Sequence, residues 1–140
     1  MNGSDPALAS GVAESLVAAA RIARDHAVAP FSGFAVGAAI LTAGGRIVTG
    51  CNVENASYGL TMCAERVALL KALSEGERAF AAIAVVANTA QPTPPCGACR
   101  QLLWEYCGDV PVVLANLTAI AATHRLGALL PFPFDRRQLE

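Results

Sequence analysis

The sequence contains few charged and few aromatic residues. Aspartate, glutamate, lysine and arginine together make up 15% of its 140 residues, aromatic residues make up 6%, and the formal net charge is −1. Proteins that bind a nucleic-acid backbone draw their affinity from clustered lysine and arginine. The first such cluster here is Arg136 and Arg137, near the C-terminus. The composition therefore argues against a nucleic-acid partner and favours a small, free substrate.

Long hydrophobic runs are also missing. No uninterrupted apolar stretch approaches the ~20 residues that a membrane-spanning helix needs. The first residues lack the basic start and the apolar block of a secretory signal. We therefore expect a cytoplasmic protein without a membrane partner.

Disulfide pairs are not expected either, because the five cysteines are an odd number and three of them have metal-ligand spacing. Reduced thiols in a reducing compartment fit this pattern best. Cys51 and Cys107 are left over and are interpreted as small, buried hydrophobic residues. His26 and His124 lie outside the motifs and are interpreted as surface or packing residues.

The metal-ligand pattern consists of Cys63, of Glu65 two residues later, and of the pair Cys96 and Cys99. Structural zinc sites are normally closed by four protein ligands, whereas three ligands leave one position for water. A carboxyl group nearby can carry protons for that water. The pattern therefore predicts a catalytic site with one Zn²⁺ ion per chain.

Apolar periodicity and turn residues predict the order of the elements. Helices are expected at 12–28, at 63–74 and from 96 through 106, with a last helical turn at 126–130. Strands are expected at 34–41, 46–51, 81–87 and 110–115, with a weak one at 119–122. Residues 1–10 are expected to form a flexible tail and 11–140 a single domain. A hairpin followed by alternating helices and strands predicts an α/β fold with one central mixed sheet.

Both cysteine motifs are predicted to lie at the start of a helix. Cys63 and Glu65 do not share a helix face, so both enter one pocket only if the pocket lies at the helix start. Cys96 and Cys99 do share a face, and the N–H groups at a helix start stabilise thiolates. The sequence thus predicts two helix starts that converge on one zinc ion.

Four segments closely resemble the short, homotetrameric, zinc-dependent class of cytidine deaminases. They are PFSGFAVGAA at 30–39, GCNVENASY at 50–58, CAER at 63–66 and PCGACRQ at 95–101. A ligand-x-Glu followed by Pro-Cys-x-x-Cys is the general zinc-deaminase signature, here in its all-cysteine form. The resemblance implies a three-layer cytidine-deaminase-like fold with helices on both faces of the sheet, and a homotetramer. It also implies that cytidine and 2'-deoxycytidine are converted to uridine and 2'-deoxyuridine with release of ammonia, in pyrimidine salvage.

Deamination of cytosine needs a hydroxide at C4, a proton on N3 and a proton for the departing amine. We hypothesise that Glu65 serves all three steps; the alternative is a carboxylate that only favours the helix dipole. Three thiolates around a divalent ion carry a net charge of minus one. We hypothesise that Arg66 offsets this charge through hydrogen bonds to a ligand sulfur; the alternative is an ordinary surface arginine.

The resemblance also implies a set of substrate contacts. Asn52 and Glu54 are two residues apart at a predicted strand end, so their side chains are expected to point the same way. An amide and a carboxylate suit ribose hydroxyls, although both residues are also common in turns. Phe34 is implied to pack on the pyrimidine ring; the alternative is a core residue. Ala64 and Tyr58 complete the implied contacts, and Tyr58 can instead face a neighbouring subunit.

The chain departs from the family pattern in two places. Phe31 stands where a tyrosine is usual. The C-terminal segment 132–134 matches only loosely a family segment whose aromatic residue reaches an adjacent subunit's site, so a role of that kind for Phe132 or Phe134 is left open. Where the family usually carries acidic residues near the C-terminus, this chain has four residues that are not acidic. They are Arg125, Gly127, Arg136 and Arg137.

Other functions are left open by the sequence. A deaminase of a related aminated nucleoside, such as a cytosine-containing antibiotic, has the same motifs. A non-enzymatic zinc module has a fourth protein ligand, here Cys51, Cys107 or a histidine. The identity of the fourth metal ligand distinguishes that module from an enzyme. Editing of a polynucleotide is disfavoured because no basic groove is indicated.

Overall fold

A computed structural model describes residues 8–140. The tail expected over residues 1–10 therefore lies mostly outside the described residues. The helices are α1 (Val12–Arg24), α2 (Ala64–Ser74), α3 (Gly97–Cys107) and α4 (Leu126–Leu129). The strands are β1 (Val36–Thr42), β2 (Ile47–Cys51), β3 (Phe80–Ala87), β4 (Pro111–Ala115) and β5 (Ile120–Arg125).

The strands form one mixed sheet in the order β2-β1-β3-β4-β5. β1 pairs antiparallel with both β2 and β3, and β4 pairs antiparallel with β5. β3 and β4 run parallel, and α3 supplies the crossover that a parallel pair needs. The mixed sheet predicted from the order of the elements is confirmed.

Helices cover both faces of this sheet. Alternate residues of a strand point to opposite sides, so each strand contributes side chains to both layers. On one side α1 buries an apolar stripe against the sheet, and this layer includes Leu16, Val17, Ala20, Ala84 and Val86. On the other side α2, α3 and α4 form the second layer, which includes Ala68, Leu69, Ile83, Leu103 and Leu126. The predicted three-layer α/β fold is confirmed.

Two glycines let the helices approach the strands closely. A Cβ atom on Gly37 would lie 2.0 Å from the backbone oxygen of Ala20 in α1. A Cβ atom on Gly50 would lie 2.6 Å from the backbone oxygen of Ala64 and 2.5 Å from the backbone nitrogen of Ala68. Gly50 therefore determines how closely the first turn of α2 approaches β2.

Helix α1 is shorter than predicted. It ends at Arg24 rather than at residue 28. The N–H of Val28 donates to the carbonyl of Asn52 (3.0 Å), and the carbonyl of Val28 accepts from the N–H of Glu54 (2.8 Å). These bonds require extended backbone at Val28, so pairing with the segment after β2 ends the helix early.

Strand β5 is longer than the weak strand predicted at 119–122, since it continues to Arg125. All six of its residues are exposed or half-buried, which explains why the apolar signal in the sequence is weak. No helix within residues 8–140 is long and apolar enough to cross a membrane.

Candidate metal centre and substrate clefts

The three cysteines predicted as metal ligands meet at two helix starts. Cys63 is the N-cap of α2, Cys96 is the N-cap of α3, and Cys99 lies in the first turn of α3. The Sγ atoms of Cys63 and Cys96 are 3.8 Å apart, those of Cys96 and Cys99 are 3.4 Å apart, and all three lie within 4.8 Å of one another. Sulfurs bound tetrahedrally to zinc at about 2.3 Å are about 3.8 Å apart. The cluster therefore has the dimensions of a zinc site.

The remaining cysteines lie outside this cluster. Among residues 8–140 the group that can hold a metal consists of Cys63, Cys96 and Cys99 alone. Cys107 is half-buried, and burial raises the pKa of its thiol to about 12. Three protein ligands leave room for a water molecule at the metal.

The thiol of Cys63 is favoured in its ionised form by its neighbours. Its pKa is lowered to about 5, first by the hydrogen bond with Cys99 and then by Arg66 and Cys96, against the opposing effect of burial. The pKa of Cys99 is raised because its proton is held in that same hydrogen bond and because the thiol is buried. A bound metal replaces such protons, since thiolate is the ligand form.

The guanidinium of Arg66 contacts a ligand sulfur. Its Nη2 atom donates to Sγ of Cys63 at 3.6 Å and to the carbonyl of Thr61 at 3.3 Å. Its Nε atom is buried and has no hydrogen-bond partner among the described residues. A positive charge in this place would offset the net negative charge of a site with one zinc ion and three thiolate ligands.

Glu65 is buried in the first turn of α2, with 4% of its surface exposed. Burial is the main reason that the pKa of its carboxyl group is raised to about 7, and the neighbouring Cys63 contributes. A carboxyl group with such a pKa can accept and release a proton near neutral pH.

Glu65 lines a cleft of about 190 Å³ beside the sulfurs. Its walls are mostly apolar, and they include Phe34, Asn52, Ala64, Cys63 and Cys96. A small, mostly apolar cleft with a few polar groups suits a flat heterocyclic ring. Three of the predicted substrate contacts thus lie next to the candidate metal centre.

Asn52 ties together the backbone that forms this cleft. Its Oδ1 atom accepts from the N–H of Val36 (2.9 Å), and its Nδ2 atom donates to the carbonyl of Phe34 (2.7 Å). The side chain is buried, with 8% of its surface exposed. These two bonds fix the segment around Phe34. A side-chain amide carries two N–H donors, so Asn52 keeps one of them for other contacts.

A second cleft of about 390 Å³ is lined by Glu54 and Tyr58 together with Phe31, Ser32, Asn55 and Thr61. Thr61 lines both clefts, so the two adjoin. The side chains of Asn52 and Glu54 were expected to point the same way at a strand end. However, β2 ends at Cys51, before both residues, and the two side chains line different clefts. Tyr58 is 77% exposed, and its ring meets that of Phe31 edge-on with 6.3 Å between centroids.

Sequence reasoning did not single out Ser32 and Thr61. Ser32 lies inside the segment 30–39 that carried part of the family resemblance, and this was the signal available for it.

Phe132 is fully exposed and has a positive φ of 52°. Phe134 is 62% exposed, and its carbonyl accepts a hydrogen bond from Gln101 of α3. His26 and His124 are exposed.

Comparison with known proteins identifies the family. Residues 11–115 match the model described as the cytidine and deoxycytidylate deaminase zinc-binding region. The chain belongs to this family. The matched region of this deaminase-family chain contains the three clustered cysteines, and the prediction of a zinc cofactor is confirmed.

Individual relatives agree with this assignment to the deaminase family. The cytidine deaminase of Halalkalibacterium halodurans is 52% identical over 127 residues, which are 90% of this chain and 96% of the relative. That of Sporosarcina psychrophila is 48% identical over 127 residues, 90% of this chain and 93% of the relative. The crystal structure of the cytidine deaminase from Burkholderia pseudomallei superimposes with a TM-score of 0.84 at 51% identity, covering 86% of this chain and 98% of that chain. The resemblance stated from the sequence motifs is confirmed.

Proposed function

We propose that this chain catalyses the zinc-dependent hydrolytic deamination of cytidine and 2'-deoxycytidine to uridine and 2'-deoxyuridine. One observation carries the proposal: three clustered sulfurs at two helix starts lie beside a single buried carboxyl group in a cleft. Membership of the deaminase family supports it. A structural zinc module would need a fourth protein ligand, and among residues 8–140 the cluster has three.

When bound, the zinc ion supplies a Lewis acid that lowers the pKa of a water molecule and stabilises negative charge on oxygen. We assign Cys63, Cys96 and Cys99 to hold it. Arg66 is assigned to keep the sulfur of Cys63 in place and to reduce the negative charge around it, which its hydrogen bond to that sulfur supports.

Glu65 is assigned to move the protons of the reaction. It takes one proton from the attacking water and passes it to N3 of cytosine, while the oxygen forms a bond to C4. It then takes the second proton of that oxygen and passes it to the amino nitrogen. The bond between C4 and nitrogen breaks, ammonia leaves, and the ring carries a carbonyl at C4 and a proton at N3. Burial of Glu65 beside the sulfurs supports this assignment.

The two adjoining clefts divide the substrate between them. The cleft lined by Phe34, Asn52 and Ala64 is proposed to hold the pyrimidine ring, because its walls are mostly apolar and Glu65 faces it. The cleft lined by Glu54 and Tyr58 is proposed to hold the sugar, because a carboxylate accepts hydrogen bonds from hydroxyl groups.

The assembly and the location follow from other features. We propose that residues 11–140 form one domain that assembles into a homotetramer, which agrees with exposed apolar side chains such as Tyr58, Leu60 and Phe132. We propose a cytoplasmic location, because thiols stay reduced in the cytosol and the five cysteines are free. A role in pyrimidine salvage is proposed from the deamination of a nucleoside. A nucleoside, and no nucleic acid, is the proposed partner.

An assay of ammonia release tests the proposal. Zinc-loaded protein is incubated with cytidine, 2'-deoxycytidine, cytosine, adenosine and a cytosine-containing antibiotic nucleoside. We expect release from the first two, loss of activity with a chelator and recovery on addition of zinc. Turnover of the antibiotic alone would favour the related deaminase activity, and no release from any nucleoside would refute the proposal.

Two cysteine variants on the same helix provide a control for the metal assignment. Cys99→Ala is expected to lose zinc and activity together. Cys107→Ala, at the other end of α3 and outside the cluster, is expected to retain both. Zinc content is measured by atomic absorption.

A further inference from the structure

The carboxylate of Glu54 is held by a loop that is distant in the sequence. Its Oε1 atom accepts from the N–H of Phe31 (2.9 Å) and from the N–H of Ser32 (3.1 Å). Its Oε2 atom accepts from the hydroxyl group of Ser32. The loop and the carboxylate are 22 to 23 positions apart, so these bonds fix one tertiary contact at the wall of the second cleft.

The hydroxyl group of Ser32 has a defined direction. It accepts a hydrogen bond from the N–H of Phe34 (3.0 Å). A backbone N–H can only donate, so the single O–H proton of Ser32 is free to point at Oε2 of Glu54. One side chain thus connects the residue proposed to bind the sugar with the residue proposed to pack on the ring.

The number of acceptor positions on Glu54 determines what a ligand can use. An ionised carboxylate has about four acceptor positions, two on each oxygen. Among the described hydrogen bonds, two occupy Oε1 and one occupies Oε2. One position on Oε2 is thus left, and its direction is set by the bond from Ser32.

We propose that Ser32 is a positioning residue for sugar recognition: its hydroxyl group orients Oε2 of Glu54 toward a sugar hydroxyl of the nucleoside and keeps it in register with Phe34. This inference rests on the proposed function, since it concerns the same site. The pKa of Glu54 is lowered, first by the hydrogen bond from Ser32 and next by that from Phe31, which agrees with a carboxylate kept ionised to accept.

Kinetics of the zinc-loaded full chain test the inference. Ser32→Ala removes the hydroxyl group and is expected to raise KM for cytidine roughly tenfold while kcat stays within about twofold, because one bond to a charged group is lost away from the reacting atoms. Ser32→Thr keeps a hydroxyl group and is expected to restore KM. Ser74→Ala is the control for removal of a serine hydroxyl group, since Ser74 donates one hydrogen bond, to the carbonyl of Lys71 at the far end of α2, whereas the hydroxyl group of Ser32 takes part in two.

Competitive inhibition separates positioning from a general structural effect. Inhibition constants are measured for uridine and for 2',3'-dideoxyuridine, which lacks both ring hydroxyls. Ser32→Ala is expected to raise the inhibition constant of uridine roughly tenfold more than that of dideoxyuridine, because only uridine has a ring hydroxyl group that Glu54 can accept from. The ratio of the two constants does not depend on how much of the variant is folded. In a Glu54→Ala background, Ser32→Ala is expected to have no further effect on this ratio.

The outcomes distinguish this inference from the proposed function. If the wild-type chain deaminates cytidine but Ser32→Ala leaves the ratio of the two inhibition constants unchanged, because both rise equally or neither rises, the inference is wrong and the proposed function stands. If the wild-type chain neither deaminates nor binds a nucleoside, both are wrong.

Discussion

The Sγ atoms of Cys63 and Cys96 lie 3.8 Å apart although the residues are 33 positions apart in the chain. Each residue is the N-cap of a helix, and both helices pack on the same face of the sheet. The spacing of the sulfurs is therefore set by the packing of α2 and α3 and not by a local loop. Substitutions that move either helix start are expected to change metal binding.

Glu65→Gln is expected to retain zinc and to lower kcat about 100- to 10,000-fold, because an amide cannot carry the protons of the reaction. Zinc content by atomic absorption and ammonia release measure the two effects. Glu14→Gln is the matched control, since Glu14 also lies in the first turn of a helix but outside the clefts lined by Glu65 and Glu54. Near-normal turnover of Glu65→Gln with zinc retained would contradict the assignment.

Arg66→Gln is expected to lose zinc to a competing chelator about 10- to 100-fold faster, because a partner of a ligand sulfur is removed. Arg66→Lys keeps the charge but not the fork of donors, so an intermediate rate is expected. Arg78→Gln is the control, because the described bonds of Arg78 go to the carbonyl of Leu73, in the last turn of the same helix, and to that of Glu77, just after the helix. Unchanged zinc release and turnover in Arg66→Gln would remove the proposed role.

The two helix starts that carry the metal ligands could be predicted from the sequence because their determinants are local. A Cys-x-x-Cys pair places two sulfurs on one face of a helix start, and proline before Cys96 marks that start. Both helices begin within one residue of the predicted positions, with Cys63 and Cys96 as N-caps. The alternation of helices and strands was likewise sufficient to predict the mixed sheet.

The surroundings of Glu54 could not be predicted, because they depend on contacts distant in the sequence. Nothing near Glu54 indicates that the hydroxyl group of Ser32 donates to it. The early end of α1 has the same cause, since Val28 pairs with backbone around Asn52. Helical periodicity describes the preference of one segment, and tertiary pairing overrides it here.

Gly50→Ala is expected to destabilise the fold by about 1–3 kcal/mol and to weaken zinc binding, because its Cβ would lie 2.6 Å from the backbone oxygen of Ala64. Gly37→Ala is expected to destabilise the fold with less effect on zinc, since it displaces α1 on the other face. Gly44→Ala is the control, where the nearest atom to an added Cβ is Oγ1 of Thr42 at 3.9 Å. Urea unfolding and zinc release to a chelator measure both effects. Equal zinc binding in Gly50→Ala and Gly37→Ala would contradict the expectation.

The acid dependence of stability is expected to report on Asp135, a buried carboxylate near the C-terminus. It accepts from the indole N–H of Trp104 (2.8 Å) and from Nη2 of Arg137 (2.7 Å). These bonds, with that of Arg137 the stronger, hold its pKa well below the usual range. The folded state thus favours the ionised form, so its contribution to stability is complete above the unfolded pKa of about 3.9 and is lost as the pH falls below that value.

Asp135→Asn is therefore expected to be less stable than the wild type by a constant amount between about pH 5 and pH 8, and the difference is expected to shrink below about pH 4. Urea unfolding followed by the fluorescence of Trp104, the single tryptophan, measures it. Loss of zinc in acid is expected to affect both proteins alike and so to cancel in the difference. Asp25→Asn corrects for the removal of one negative charge elsewhere. If the difference in unfolding free energy between wild type and Asp135→Asn stays the same down to pH 3, the bonds from Trp104 and Arg137 do not favour the ionised form, and the expectation is contradicted.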